Sequence, residues 1–280
     1  MEVDLIAFTS AAEEVCGEAA GTCYRSDGEK ALKAAMSGGH ESVLEHAVFT
    51  FRIRGVSRVL LAQLTRHRLV SYSVESQRYT NSRDNPVYLP LSIITSNIYE
   101  MVETHVEEAE RLYAEMLGKG IPKEDARYIL PQGVTTNLVM TANARELRHI
   151  FSLRCCNRAQ TEIRGLAWKM LRLCQEAAPG LFKDAGPGCV RGRCPEKKPC
   201  GSPYSPWNRT QWKHADTPPE KSGFYAAETG NGQKYAKRFY IAESGTWYAE
   251  DGPRDDVVRW KEWSDSEELL TKEDEGDDRK

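Results

Sequence analysis

The chain has 280 residues, 40% of them hydrophobic, which is enough for a sizeable core in one large domain or in one domain with an appendage. Its 38 lysines and arginines against 41 aspartates and glutamates give a net charge of -3, which argues against a general polyanion binder and so against a non-enzymatic nucleic-acid-binding protein. The deficit is local, because residues 264–280 hold eight acids and three bases, about -5, leaving the rest near +2; that end reads as a solvated acidic tail. No run of eighteen apolar residues occurs, and Met1-Glu2-Val3-Asp4 lacks the basic start of a signal peptide, so a cytoplasmic protein without a membrane partner is expected. Its eight cysteines are then expected as thiols.

Val3 to Phe8 reads as a short strand, followed by an alanine-rich helix from Ser10 and a second helical piece from Glu29 to Met36 that Gly38-Gly39 ends. Next comes His40-Glu41-Ser42-Val43-Leu44-Glu45-His46. Two histidines and two glutamates in seven residues suggest metal ligands, but His40 and His46 are six apart, off one helix face, and no further ligand cluster stands out, so no metal is assigned. A strand follows in which Phe49, Phe51 and Ile53 alternate with Thr50, Arg52 and Arg54. Val56, Leu60, Leu61 and Leu64 then recur at helical spacing, which places Arg66-His67-Arg68 in the last turn of an amphipathic helix, where cations suit the dipole. These three donors, with the serines and Arg78 that follow, can form a concave pocket for phosphate or carboxylate oxygens; the triplet alone is usually a solvated cap.

Tyr79 to Pro90 is rich in turn formers. From Asn97 to Leu117 the positions Ile98, Met101, Val102, Ala109, Leu112, Tyr113, Met116 and Leu117 mark one face of a long amphipathic helix, suited to a core or a subunit interface. Gly118 and Gly120 stop it, Pro122 opens a short helix carrying Arg127, and Pro131 breaks the chain. Val134, Thr136, Leu138 and Met140 alternate as a strand, and Asn143 caps a helix beginning Ala144-Arg145. At about 100° per residue, Leu147, Ile150, Phe151 and Arg154 share one face, while Arg145, Arg148, His149 and Ser152 share the other. Arg154 thus lies on the apolar stripe, where it must snorkel, pair with an acid or face a ligand. From Thr161 to Ala178 the helix continues with Ile163, Leu166, Ala167, Met170, Leu171 and Cys174 as an ordinary apolar stripe, closed by Pro179-Gly180.

The run Arg66-His67-Arg68-x2-Ser71-x4-Ser76-x-Arg78 resembles the motif of the flavin-dependent thymidylate synthases, the ThyX family, with six residues matching in a window of thirteen. Many members carry an acidic residue where this chain has Val74, with Glu75 next to it instead. The segment His40-Glu41-Ser42 with Glu45-His46, and the block Asn143-Ala144-Arg145 to Arg154, Asn157, Arg158, Ala159 and Gln160, resemble two further parts of the family; Arg158 stands where other members have histidine.

The resemblance covers roughly residues 1–185 and implies an α+β fold, an antiparallel sheet packed with long helices. It implies reductive methylation of dUMP to dTMP, with FAD as cofactor, and NADPH and 5,10-methylenetetrahydrofolate as co-substrates. Transfer of a different one-carbon group to dUMP is the alternative. Ser42, Arg66, His67, Arg68, Asn143, Arg145 and His149 would contact the flavin. Gln63, Arg66, Glu75, Ser76, Gln77, Arg78 and Arg127 would bind the nucleotide, and Arg154 would both bind and polarise the uracil ring. The family's sites lie between subunits of a homotetramer.

Residues 186–204 form a linker rich in cysteine, proline and glycine, in which Cys189, Cys194 and Cys200 lack the paired spacing of a zinc site. Every tryptophan except Trp168 lies between Trp207 and Trp263. There Phe224-Tyr225-Ala226-Ala227, Arg238-Phe239-Tyr240-Ile241 and Thr246-Trp247-Tyr248 are β-prone runs between turns, so residues 205–263 read as a small β-rich appended module. It resembles a small domain of unknown function common in phage proteins.

Overall fold

The computed structural model describes residues 1–81, 85–94, 96–192 and 194–200, and beyond them the backbone of six short strands between Lys213 and Glu262. The chain divides into two compact units, Met1–Cys200 and Gly201–Lys280. Residues 264–280, the acidic tail of the sequence reading, lie outside the described residues.

The first unit is built on a four-stranded antiparallel sheet in the order β1-β2-β4-β3, with β1 at Glu2–Phe8, β2 at Val48–Ser57, β3 at Val70–Val74 and β4 at Thr135–Asn143. The period of two works as expected on β2: Phe49, Phe51 and Ile53 are fully buried, while Arg52 and Arg54 stay outside and pair with Asp4 and Glu2 on β1. Against the buried face pack α7 (Ala144–Arg154) and α8 (Thr161–Ala177), which contribute Leu147, Ile150, Phe151, Ile163, Leu166, Met170 and Leu171 to the core. Before the sheet closes, α1 (Ala12–Tyr24) and α2 (Gly28–Ser37) meet through glycines; a Cβ on Gly28 would stand 2.9 Å from the Gly17 carbonyl oxygen. A 3-10 helix, Glu41–His46, leads into β2.

Two expectations are corrected, and one element appears that the sequence alone leaves unassigned. The helix after β2 is shorter than the apolar spacing suggests: α3 spans Arg58–Leu64, Val56 belongs to β2, and Ser57 caps the helix by accepting from the Leu60 N–H at 3.0 Å. The Arg-His-Arg triplet therefore lies just past the helix end, not in its last turn. The segment behind it is a strand, β3, because the free edge of β4 takes Val70 to Val74 as its partner, with Val70, Tyr72 and Val74 half-buried and Ser71 and Ser73 exposed. Finally, α7 and α8 are separate helices, broken at 155–160, where Arg164 Nη1 donates to the Asn157 carbonyl at 3.0 Å.

After α4 (Leu91–Ile94), α5 runs from Tyr99 to Gly118 and buries only Ala109 and Tyr113, leaving Ile98, Met101 and Leu112 exposed in the single chain. Only Ala109 and Tyr113 of that face join the core. Next, α6 (Lys123–Ala126) hands over to a 3-10 turn at Arg127–Ile129, and α9 (Pro179–Phe182) follows α8. In the second unit the strands β5 (Lys213–His214), β6 (Gly223–Thr229), β7 (Ala236–Ile241), β8 (Thr246–Ala249), β9 (Gly252–Arg254) and β10 (Val257–Glu262) pair antiparallel in the order β5-β10-β6-β7-β8-β9.

Candidate active site

Two elements from distant parts of the sequence converge at Arg154, on the last turn of α7. Its Nε donates to His67 Nε2 at 3.0 Å, and its Nη2 donates to the Gln63 carbonyl at the end of α3 at 3.2 Å. A guanidinium has five N–H donors. No carboxylate pairs with this one among the described residues, so the half-buried cation keeps donors without a protein acceptor. Burial, and then the charge of Arg66, lower its pKa from the usual arginine value.

His67 is enclosed, with Nδ1 3.4 Å from Glu146 Oε1 and its ring edge-on to His149 at 5.9 Å between centroids. Burial first, then the charges of Arg154 and His149, pull it down to about 4. At neutral pH the approach to Glu146 is therefore one between a neutral ring and an acid, not an ion pair. Burial also raises the Glu146 pKa. Tyr72 on β3 closes the cage from below, its hydroxyl donating to the carbonyls of Leu64 at 2.7 Å and His67 at 3.2 Å. The flanking Arg66 and Arg68 are exposed, and neither side chain has a hydrogen bond or ion pair among the described residues.

A second cationic group lies where β3 runs into the short helices after α5. Arg78 Nε meets Glu124 Oε2 at 2.7 Å, its main-chain N–H donates to Ser76 Oγ at 3.3 Å, and Arg127 Nε donates to the Glu124 carbonyl at 3.0 Å. Arg58, at the start of α3, donates through Nη2 to the Glu75 carbonyl, yet its buried Nε has no partner. Burial and the neighbouring charge of Arg127 lower its pKa. Glu75, by contrast, spends its carboxylate on accepting from Asn137 Nδ2 at 2.7 Å and Asn85 Nδ2 at 3.2 Å, so it braces the loop. Gln77 is buried, and Gln63 Nε2 donates to Gln160 Oε1.

At the other end of α7, Asn143 caps the helix as predicted, its Oδ1 accepting from the Glu146 N–H at 2.9 Å. Arg145 pairs with Glu45 at 2.5 Å, Ser42 is exposed on the 3-10 helix, and His149 is exposed one turn along. The same segment dissolves the metal-like pattern of the sequence, since Glu45 serves Arg145 and Glu41 serves Arg148 at 3.2 Å. Arg148 corrects the helical-face reading, which put it on the outer side. It is fully buried, holding Asp184 through two donors at 2.8 and 3.2 Å and the Leu181 carbonyl at 2.5 Å, because the chain after α8 folds back over that side of α7.

The structure thus brings Gln63, Arg66, His67, His149 and Arg154 together, and separately Ser76, Arg78 and Arg127. Sequence reasoning missed Arg58, Tyr72, Glu146 and Arg148. The signal for two of them was available, because Glu146 and Arg148 fall roughly 90–110° either side of the centre of the apolar stripe, where a charged side chain is half enclosed before any neighbour is added.

An α+β fold with exposed and half-buried arginines on the helices and loops around its sheet, one of them held only by neutral acceptors, presents the donors that an anionic ligand requires. A family model described as thymidylate synthase complementing protein matches residues 4–180, which include all of these positions. The flavin-dependent thymidylate synthase of Geobacter sulfurreducens is 43% identical over 212 residues, covering 70% of this chain and 91% of its own length. That of Clostridium tetani is 38% identical over the same shares, 70% and 91%. Among solved structures, flavin-dependent thymidylate synthase ThyX from Helicobacter pylori, complexed with FAD and dUMP, superposes with a TM-score of 0.54 at 29% identity, over 66% of this chain and 100% of that one. The chain belongs to the flavin-dependent thymidylate synthase family, and is an enzyme of that family.

Proposed function

We propose that the chain methylates dUMP at C5 to give dTMP, with FAD as cofactor, 5,10-methylenetetrahydrofolate as carbon donor and NADPH as reductant, in the cytoplasm. The observation that carries this reading is Arg154: a half-buried cation with unused donors, fixed by His67 and the Gln63 carbonyl instead of an acid. Its spare N–H groups would meet the uracil carbonyls and stabilise the negative charge that grows on the ring as C5 becomes nucleophilic. Ser76, Arg78 and Arg127, with Gln63, Arg66 and Gln77, would hold the nucleotide, and the exposed Arg78–Glu124 pair would exchange its carboxylate for phosphate. Glu75 would serve through the loop it braces.

The donor set suits a flavin dinucleotide. Arg66 and Arg68 offer exposed guanidiniums to a diphosphate, Ser42 on the 3-10 helix and His149 on α7 are exposed, and Asn143 and Arg145 flank the start of α7. Bound FAD would supply the electron transfer and a flat face for stacking; orientation and charge would come from the chain. The exposed apolar face of α5 would be covered in a homotetramer. Residues 205–263 would form an appended β-rich module outside this chemistry.

The test is the absorption spectrum of purified protein followed by dTMP formation from dUMP, methylenetetrahydrofolate and NADPH. A flavin spectrum with dTMP as product is expected; flavin with a different pyrimidine product would keep the cofactor and replace the carbon chemistry.

A further inference from the structure

Glu146 is a buried acid with no part in the proposed chemistry, and its surroundings give it one. Across the ring of His67, Glu146 Oε1 stands 3.4 Å from Nδ1 on one side and Arg154 Nε stands 3.0 Å from Nε2 on the other. A guanidinium can only donate, so the nitrogen facing Arg154 must present a lone pair, and the single proton of the neutral ring must then sit on Nδ1, towards Glu146. The opposite tautomer would set N–H against N–H on one side and a lone pair against the carboxylate oxygen on the other. Every remaining neighbour leaves this choice alone: Tyr72 spends its hydroxyl on main-chain carbonyls, His149 meets the ring edge-on, and Arg66 faces Arg154.

We infer that Glu146 and His67 are positioning residues for Arg154, the acid holding the imidazole in its Nδ1–H tautomer so that Nε2, together with the Gln63 carbonyl, fixes the guanidinium. The inference rests on the reading of Arg154 as the group that meets the nucleotide. It also changes the role of His67: the motif histidine serves the flavin and nucleotide site from behind, through Arg154, and not by offering its ring to a ligand. The main-chain groups of His67 are likewise engaged, its N–H donating to the Leu64 carbonyl at 3.1 Å and its carbonyl accepting from Tyr72. Since burial and Arg154 both oppose protonation, the arrangement persists throughout the neutral range.

Two substitutions separate the nitrogens. In His67→Gln the amide reaches the place of Nε2 and its oxygen can accept from Arg154; in His67→Asn the shorter amide reaches only the place of Nδ1. With the flavin-loaded enzyme, His67→Gln should keep kcat within about threefold of native, whereas His67→Asn should lower it roughly ten- to a hundredfold, the loss of one charge-assisted hydrogen bond, with a smaller change in the KM for dUMP. Bound FAD and melting temperature should stay close to native in both. A readout without turnover comes from ligand-free protein labelled with 15N in its six histidines. One imidazole should show a bare Nε2 and a protonated Nδ1 at neutral pH; in Glu146→Leu, where Arg154 alone still selects that tautomer, the Nδ1 resonance should shift as its proton loses the acceptor, and an unchanged resonance would take Glu146 out of the pair. Equal kcat for the Gln and Asn variants, with Arg154→Ala strongly impaired, would overturn the positioning pair alone. Native turnover in Arg154→Ala would overturn both it and the functional reading beneath it.

Discussion

Two arginines six residues apart on α7 show opposite uses of the same side chain. Arg148 is fully buried and neutralised by Asp184 and Glu41, with the Leu181 carbonyl taking a further donor; nothing of its charge is left for a ligand. Arg154 is half-buried, and its partners are a neutral ring nitrogen and a main-chain carbonyl. Taking a guanidinium out of water is strongly unfavourable unless acids compensate it. At Arg148 the fold supplies them. At Arg154 it supplies only enough acceptors to fix an orientation, which is the condition for a cation that acts on something else.

Breaking the first arginine should have the largest effect. Arg148→Met leaves Asp184 and Glu41 only the exposed Arg191, at 3.7 and 3.5 Å, and should cost about 3 kcal/mol of stability, seen as a fall of roughly 10 °C in melting temperature for a unit of this size. The acid side of that stability follows from Asp184, where burial pushes the pKa up but the hydrogen bonds and charge of Arg148 outweigh it and hold it below its ordinary 3.8. A depressed acid stabilises fully above its unfolded value, so this contribution is present at neutral pH and fades as pH falls below about 3.8 and through the folded value. Calorimetry of native and Arg148→Met protein across that window should show their difference narrowing towards acid.

Arg154→Ala should do the reverse: little change in melting temperature or bound FAD, and a fall in single-turnover methylation of roughly two to three orders of magnitude, as for the loss of one oxyanion donor. If melting temperature, flavin and turnover fell together instead, Arg154 would be a second Arg148 and the contrast between them would disappear.

The sequence made the contrast half legible. Periodicity located α7, its Asn143 cap and the odd cation on its apolar stripe, since these depend on spacing alone. It misplaced Arg148 because the side of a helix that faces solvent in isolation can be covered by a later segment, here the Leu181 to Asp184 stretch, whose return no local pattern announces. Similarly, β3 was hidden because Ser71 and Ser73 alternate with only three apolar residues, and the edge of β4 that recruits them comes much later in the chain, at Leu138 to Ala142. The motif located Arg66 to Arg78 but not the direction of each side chain, so the burial of His67 and the pairing of Glu75 with Asn137 had to come from the structure.

A smaller effect is expected at Arg78. Its pair with Glu124 joins two groups each about half exposed, so it adds at most about 1 kcal/mol to stability, and Arg78→Ala should leave the melting temperature almost unmoved. Affinity for dUMP should weaken by about 1.5–3 kcal/mol, or roughly ten- to a hundredfold, if phosphate replaces Glu124 on the guanidinium. An equilibrium titration giving the native Kd would remove Arg78 from the nucleotide site and leave the pair with Glu124 as a surface contact.

The smallest effect should come from the largest change. All the residues placed around Arg154 and Arg78 lie in the unit Met1–Cys200, and the segment after α9 still belongs to it: Arg191 donates to the Asp184 carbonyl at 3.2 Å, and Arg158 donates to that of Lys198 at 2.7 Å. A cut at residue 185 would remove these contacts beside Arg148 and at the turn between α7 and α8. A chain ending after Cys200 would keep them. That shorter chain should therefore bind FAD in the native ratio and form dTMP within about twofold of the full chain, because a compact unit with its own core folds without its neighbour. Loss of flavin with loss of folding would show that the first unit needs the second for stability. Loss of methylation in a folded, flavin-loaded truncation would instead bring residues 201–280 into the site, and the two arginines of α7 would no longer suffice to describe how it works.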